Sequence, residues 1–304
     1  MILRKIKLIV TIIVVSILVP SLWWWNQTRK ESIADAINPM YWIRRWRGED
    51  LFDYNKYILY HGNRSLKEVA LTIDDGPHVP MEPQLLTIFE KNHIHATFFV
   101  VGIKMKKHPN IIRRMVQDGD EIANHTMDHY RLSYLSPWDI HNEILNNDIN
   151  LYRITGLRFH LLRPPGMNYN DKVLKVAKNM GYVTVSWDCA AEDYENKSPD
   201  FIYERIMRRV ENGSIILLHD DMENTVIAMP RIIAALKEQG YRFVTISQML
   251  EHLPHPVYAD RLKSVPLPAY VLNESPTGGA LTNVPLKSIA SNTKVTKDQT
   301  IRMK

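Results

Sequence analysis

Cysteine is almost missing from this chain. Cys189 is the only one in 304 residues, so no disulfide can form within the chain and no cysteine-based zinc cluster can be built. Any bound metal must therefore use histidine and carboxylate. The lone thiol lies in a β-like run and reads as a small buried apolar residue. Positive charge is also lacking where a nucleic-acid groove would need it. The formal charge is +5, but residues 1–67 carry 11 Lys and Arg against 5 Asp and Glu, and residues 255–304 carry 7 against 3, so the middle is mildly acidic. Phosphate-tracking grooves concentrate Lys and Arg on one face, and no nucleic-acid partner is expected. No internal repeat is visible. The hydrophobic content of 45% suits a globular domain with flanking segments.

The amino terminus places Arg4, Lys5 and Lys7 before an apolar run from Leu8 to Trp25. About 18 apolar residues are just enough to cross ~30 Å of hydrocarbon as a helix. The positive-inside rule puts the start of the chain in the cytoplasm and the rest outside. Trp23, Trp24 and Trp25 suit the interfacial belt. A cleaved signal peptide would have a shorter apolar core and a small-residue cleavage site; bulky indoles stand there instead. The expectation is a single-pass anchor, residues 1–25, with the lipid bilayer as partner through residues 8–25. Residues 26–67 read as a juxtamembrane connector. After residue 254 the sequence fills with Pro, Ser, Thr, Asn and Lys and loses periodicity, which predicts a flexible tail over 255–304.

Between 68 and 254 short β-branched or aromatic runs alternate with amphipathic helical stretches. Strands are expected at 69–73, 96–101, 121–123, 158–162, 183–187, 214–218 and 242–245. The helices expected between them cover 84–92, 110–118, 137–156, 171–180, 199–211 and 225–240. Such alternation means a parallel sheet with covering helices, and about seven repeats are enough to curl into a distorted (β/α) barrel.

Four clusters carry chemistry, and each falls where a strand ends. The first is Thr72-Ile73-Asp74-Asp75-Gly76-Pro77. Adjacent carboxylates leaving an apolar strand repel each other and need a metal, a cation or a shared proton to offset that. The second is His125-Thr126-Met127-Asp128-His129. Histidines four apart on one side of a helical turn can reach one cation, and Asp75 would add an oxygen. The third is Arg163-Pro164-Pro165-Gly166, whose arginine can grip a carboxylate and keep it ionised. The fourth is Leu217-Leu218-His219, which puts a proton donor at the same rim.

Together with Asp193-Tyr194, these motifs stand in the order and at the spacing of the polysaccharide deacetylases, carbohydrate esterase family four, which the chain resembles from about residue 68 to 253. The resemblance implies a divalent cation, usually zinc, with cobalt or another first-row ion also compatible with a mixed His and carboxylate site. It implies that Asp75, His125 and His129 hold this ion and that Asp74 is the general base, paired with Arg163. His219 would be the general acid, oriented by Asp193, and Leu217 would border an acetyl-methyl pocket. The substrate implied is an N-acetylated glycan polymer, contacted also by Pro165, Gly166 and Tyr194. The chain departs from the family pattern at Ala190, where an Asp is usual, at Tyr194, where a Trp is usual, and at Gly166, where an aromatic is common. The departures at Ala190 and Gly166 motivate a rival reading, a catalytically inactive wall-glycan-binding protein that keeps the barrel. A phosphoesterase would want more ligands or a cationic clamp, and adjacent Asp74 and Asp75 do not suit a glycosidase, whose two carboxylates flank a sugar.

Overall fold

The structure is a computed structural model that describes residues 51–195, 197–259 and 266–272. The chain divides into two units, 1–54 and 55–304. Of the first, the described residues hold a two-residue strand, Phe52–Asp53. The expected anchor at 8–25 lies outside the described residues. Among those described, no helix is long and apolar enough to cross a membrane.

Among its described residues the second unit has nine strands: β1 (Ile58–Leu59), β2 (Glu68–Asp74), β3 (Thr97–Val100), β4 (Glu121–Asn124), β5 (Leu161–Leu162), β6 (Val183–Val185), β7 (Cys189–Ala190), β8 (Ser214–His219) and β9 (Arg242–Phe243). The helices are α1 (Met81–Asn92), α2 (Gly102–Lys107), α3 (Pro109–Asp118), α4 (Pro137–Thr155), α5 (Asp171–Asn179), α6 (Pro199–Arg209), α7 (Glu223–Glu238), α8 (Ile246–Glu251) and α9 (Ala269–Leu272). The pairs these strands form are parallel, in the order β1-β6-β5-β4-β3-β2-β8-β7, with β9 added to the start of β2. Residues 186–188 connect β6, near one end of this order, to β7 at the other. So short a link forces the sheet to curl back on itself. Asp188 helps hold that seam by accepting from Arg64 Nη2 (2.7 Å), Ser214 Oγ (3.1 Å) and the Ile215 N–H (2.8 Å).

Central β2 is buried along its whole length, and its alternation divides two environments. Val69, Leu71 and Ile73 join Phe98, Val100, Ile216 and Leu218 in the main core beneath the helices. Thr72 and Asp74 point the other way, into the curl of the sheet, where both meet Arg163. Helix ends follow ordinary capping chemistry. Ser136, Asn170, Ser198 and Thr245 accept from the first turns of α4, α5, α6 and α8, and Gly156 closes α4 in the left-handed conformation.

Several boundaries differ from those read off the sequence. The expected connector contributes β1 to the sheet, because two buried apolar residues suffice to extend an existing edge. Helix α2 was not foreseen: six residues are too short to show a period. Strand β5 covers only Leu161–Leu162, as Asp148 instead binds the Phe159 N–H and Arg158. Within the segment expected to be a tail, Leu267 and, on α9, Val271 pack with Ile149 of α4.

Candidate active site

Parallel strands deliver their carboxyl ends to one rim, and the motifs meet there. β2 and β8 are in register with Asp74 opposite His219. β4 ends at Asn124, opposite Leu162, so His125 and Arg163 leave adjacent strands side by side.

Asp75 Oδ1 lies 2.8 Å from His129 Nε2 and 3.2 Å from His125 Nε2. One ligand atom from each of the three falls within 4.8 Å of the others, a convergence suited to one small cation. The His125 ring is set by a 2.7 Å hydrogen bond from Nδ1 to the Arg163 carbonyl, which leaves Nε2 free to face the aspartate, the usual outer-shell arrangement for a metal ligand. Burial opposes charge on Asp75, but hydrogen bonds and charge from His125 and His129 hold its carboxyl well below the usual carboxylate range. The two histidines do not share a helical turn, as the spacing had predicted. Residues 125–129 form a loop in which Thr126 (φ 67°) and His129 (φ 62°), like Asp75 (φ 73°), have left-handed backbone. Non-glycine residues persist there only when their surroundings over-determine them. Here α4 does so: the Glu143 side chain accepts from the Asp128 N–H, its carbonyl from the Met127 N–H, and Asn147 orients Asn124, which accepts from the Thr126 N–H.

Asp74 is held differently. Arg163 is fully buried and donates through Nη1 to Asp74 Oδ1 (2.6 Å) and Thr72 Oγ1 (2.9 Å), through Nε to the Val185 carbonyl and through Nη2 to the Ser186 carbonyl. Its guanidinium stacks 4.1 Å from the Phe99 ring centroid. Burial lowers the arginine from its ordinary value, which is high enough that the group stays charged.

Across the rim, Asp193 Oδ1 lies 2.8 Å from His219 Nδ1, while Oδ2 accepts from the His219 N–H and from Thr225 Oγ1, both at 2.8 Å. Burial works against a charged imidazole, yet hydrogen bonding and charge from Asp193, then Asp74 and Asp75, raise His219 to about 9. The Tyr194 ring meets His219 edge-on at 5.8 Å and is 53% exposed. Pro165 is buried, and Gly166 (φ 57°) has open space where a side chain would stand. Leu217 is nearly buried and, unlike Ile216 and Leu218, lies outside the main core beneath the helices.

Sequence reasoning missed Glu143, Asn147 and Thr225. Each lies on a helix with no local mark of function, and only tertiary contact assigns it a part.

The comparisons with known proteins agree with this geometry. Residues 61–185 match the polysaccharide deacetylase family model. A peptidoglycan-N-acetylglucosamine deacetylase of Bacillus cereus is 36% identical over 201 residues, covering 64% of this chain and 94% of the relative. The peptidoglycan-N-acetylmuramic acid deacetylase PdaA of Bacillus subtilis is 33% identical over 195 residues, 63% of this chain and 74% of the relative. The solved structure of that family 4 carbohydrate esterase superposes with a TM-score of 0.62 at 31% identity, covering 67% of this chain and 88% of the other. A CE4 family pseudoenzyme from Bacillus anthracis superposes equally well, at 0.62 with 28% identity over 66% and 70% of the two chains. With the ordered motifs meeting at one rim of a curled parallel sheet, the chain belongs to the polysaccharide deacetylase family, hydrolases of carbon–nitrogen amide bonds.

Proposed function

We propose that this protein hydrolyses N-acetyl groups from an extracytoplasmic amino-sugar polymer, peptidoglycan or a related polysaccharide. The observation that carries the reading is the convergence of Asp75, His125 and His129 beside Asp74, with His219 opposite. Two imidazoles and one carboxylate fit a divalent ion, most simply zinc. When bound, such an ion lowers the pKa of water and polarises the acetamide carbonyl. Asp74, which accepts from Arg163, takes the proton of the attacking water. Charge then develops on the acetamide oxygen, where a backbone N–H can meet it. The Met167 N–H already donates to the Pro164 carbonyl at 2.8 Å, which leaves Gly166 as the donor in this loop. His219, charged at neutral pH through Asp193, gives its proton to the departing amine. Acetate and a free amino sugar result.

The relatives' names supply the substrate class, and they differ over the sugar. The apolar run at 8–25 of the sequence, with its basic front and indole triplet, supports a single-pass protein whose catalytic domain lies outside the membrane. Acetate release from acetylated glucosamine oligomers and from peptidoglycan, with zinc or cobalt supplied, tests the reading. Asp74→Ala and His219→Ala are each expected to abolish release, and unchanged turnover in both would reject the assigned roles.

The second reading, an inactive glycan-binding protein, is favoured by the likeness to a pseudoenzyme and by Ala190 and Gly166. Glycan binding without acetate release under saturating zinc and cobalt would select it.

A further inference from the structure

Behind Asp75 lies a second cluster of ionisable groups that the reaction does not use. Gly76 has no room for a side chain: a Cβ there would stand 2.7 Å from Asp220 Oδ2 and 2.8 and 2.9 Å from the two carboxylate oxygens of Glu82. Glu82 of α1 and Asp220, next to His219, are both fully buried. Two carboxyl groups thus crowd one point in the interior.

The donors around them can be assigned one by one. Asp220 accepts from the His78 N–H through Oδ2 (2.7 Å) and faces His78 Nδ1 through Oδ1 (2.6 Å). The His78 N–H also reaches Glu82 Oε2 at 3.2 Å. On the far side of the ring, Lys104 Nζ lies 2.6 Å from Nε2. An ammonium only donates, so Nε2 accepts and Nδ1 carries the hydrogen that Asp220 receives. Glu82 Oε1 is then buried with no donor facing it. A charged oxygen in that position, beside a second carboxylate, is strongly disfavoured. Burial first, and then the charge of Asp220, push the Glu82 carboxyl well above its ordinary value.

We propose that Glu82 is a neutral carboxylic acid that donates its proton to Asp220, and that this pair, with His78 and Lys104, braces the turn after Asp75. The brace fixes Gly76–His78 and through them the left-handed backbone of Asp75. It also reaches the other ligands. Val101 donates to the Gly76 carbonyl at 2.9 Å, while Gly102 and Ile103, in the helix that carries Lys104, donate to the carbonyls of Thr126 and Met127. Glu82 is thereby a positioning residue that acts through Asp75 and the His125–His129 loop. That role rests on the reading of Asp75 as a cation ligand; the proton on Glu82 does not.

Two measurements test the proposal separately. Isotope-edited infrared spectroscopy of the metal-free full chain at neutral pH is expected to show a protonated carboxylic acid that Glu82→Gln removes. Zinc affinity, read by competition with a chromophoric chelator, is expected to hold within about threefold in Glu82→Gln, whose amide can still donate, and to fall by about tenfold or more in Glu82→Ala. Absence of the acid band overturns the proposal. So does a second tightly held cation per chain that Glu82→Gln loses, since an ion would then stand where the proton is placed. Zinc affinity unchanged in Glu82→Ala, or lost equally in both variants, overturns the positioning role. If zinc fails to bind the wild-type protein, the reading of Asp75 fails while the infrared result still decides the protonation of Glu82.

Discussion

The two aspartates of the first motif are neighbours in sequence and opposites in environment. Asp74 is buried and bonded to a fully buried arginine, which also donates to Thr72 and to two backbone carbonyls. Asp75 is a quarter exposed, with two imidazoles aimed at one of its oxygens, and one of those imidazoles is 40% exposed. A buried charge needs a permanent counter-charge, whereas a half-open set of lone pairs can wait for an ion from solution. The difference teaches that one carboxylate is completed by the fold, while the other is arranged for something that arrives later. The sharp turn at Asp75 creates that difference by sending adjacent side chains to different neighbours.

The comparison breaks first at Arg163. Arg163→Ala leaves Asp74 buried and unpaired, which costs about 3–5 kcal/mol in denaturant unfolding of the metal-free protein. His129→Ala under the same conditions is expected to cost less than about 1 kcal/mol, as for an exposed pair. Similar losses in the two variants would erase the contrast. Next in size, Asp75→Ala or His129→Ala is expected to weaken zinc by more than the ~10–100-fold that follows loss of an outer-shell partner, measured by chelator competition. Arg163→Lys, by contrast, is expected to keep the ion while slowing turnover, because an ammonium cannot reproduce the planar fork.

A smaller effect concerns pH. His219 in the folded metal-free protein is raised to about 9 from an ordinary value of 6.5. Its stabilising contribution is therefore complete below about 6.5 and is lost as pH rises through about 9. Denaturant melts from pH 6 to 10 are expected to show wild type losing its advantage over Asp193→Asn across that interval; a constant gap would detach His219 from Asp193. Smallest of all, Tyr194→Phe at an exposed ring is expected to change stability by no more than about 0.5 kcal/mol. Any larger consequence would have to appear in KM for glycan, measured by acetate release.

Much of the fold was legible because its elements are periodic. Strands at 69–73, 121–123 and 214–218 and helices at 137–156, 171–180 and 199–211 match β2, β4, β8, α4, α5 and α6 within one or two residues. The elements that were not legible are short. β1 and α2 are too brief to show a pattern, and their conformations are imposed by an existing edge or by backbone partners such as Thr126 and Met127.

By itself the sequence determined which chemical groups the rim would carry, since Asp74, Asp75, His125, Arg163 and His219 stand at or just past strand ends, and parallel strands send those ends the same way. It also excluded an intrachain disulfide and a cysteine-based metal cluster, having one cysteine. Only the tertiary structure decided what each group experiences. The spacing of His125 and His129 suggested a helical turn, but the residues that hold them in a loop, Glu143 and Asn147, come from α4. Likewise, nothing local marks Glu82 as the partner of Asp220. The physical reason is that residue type sets which charges and lone pairs exist, whereas burial and neighbours, which are long-range properties of the fold, set whether each is charged, paired or left open.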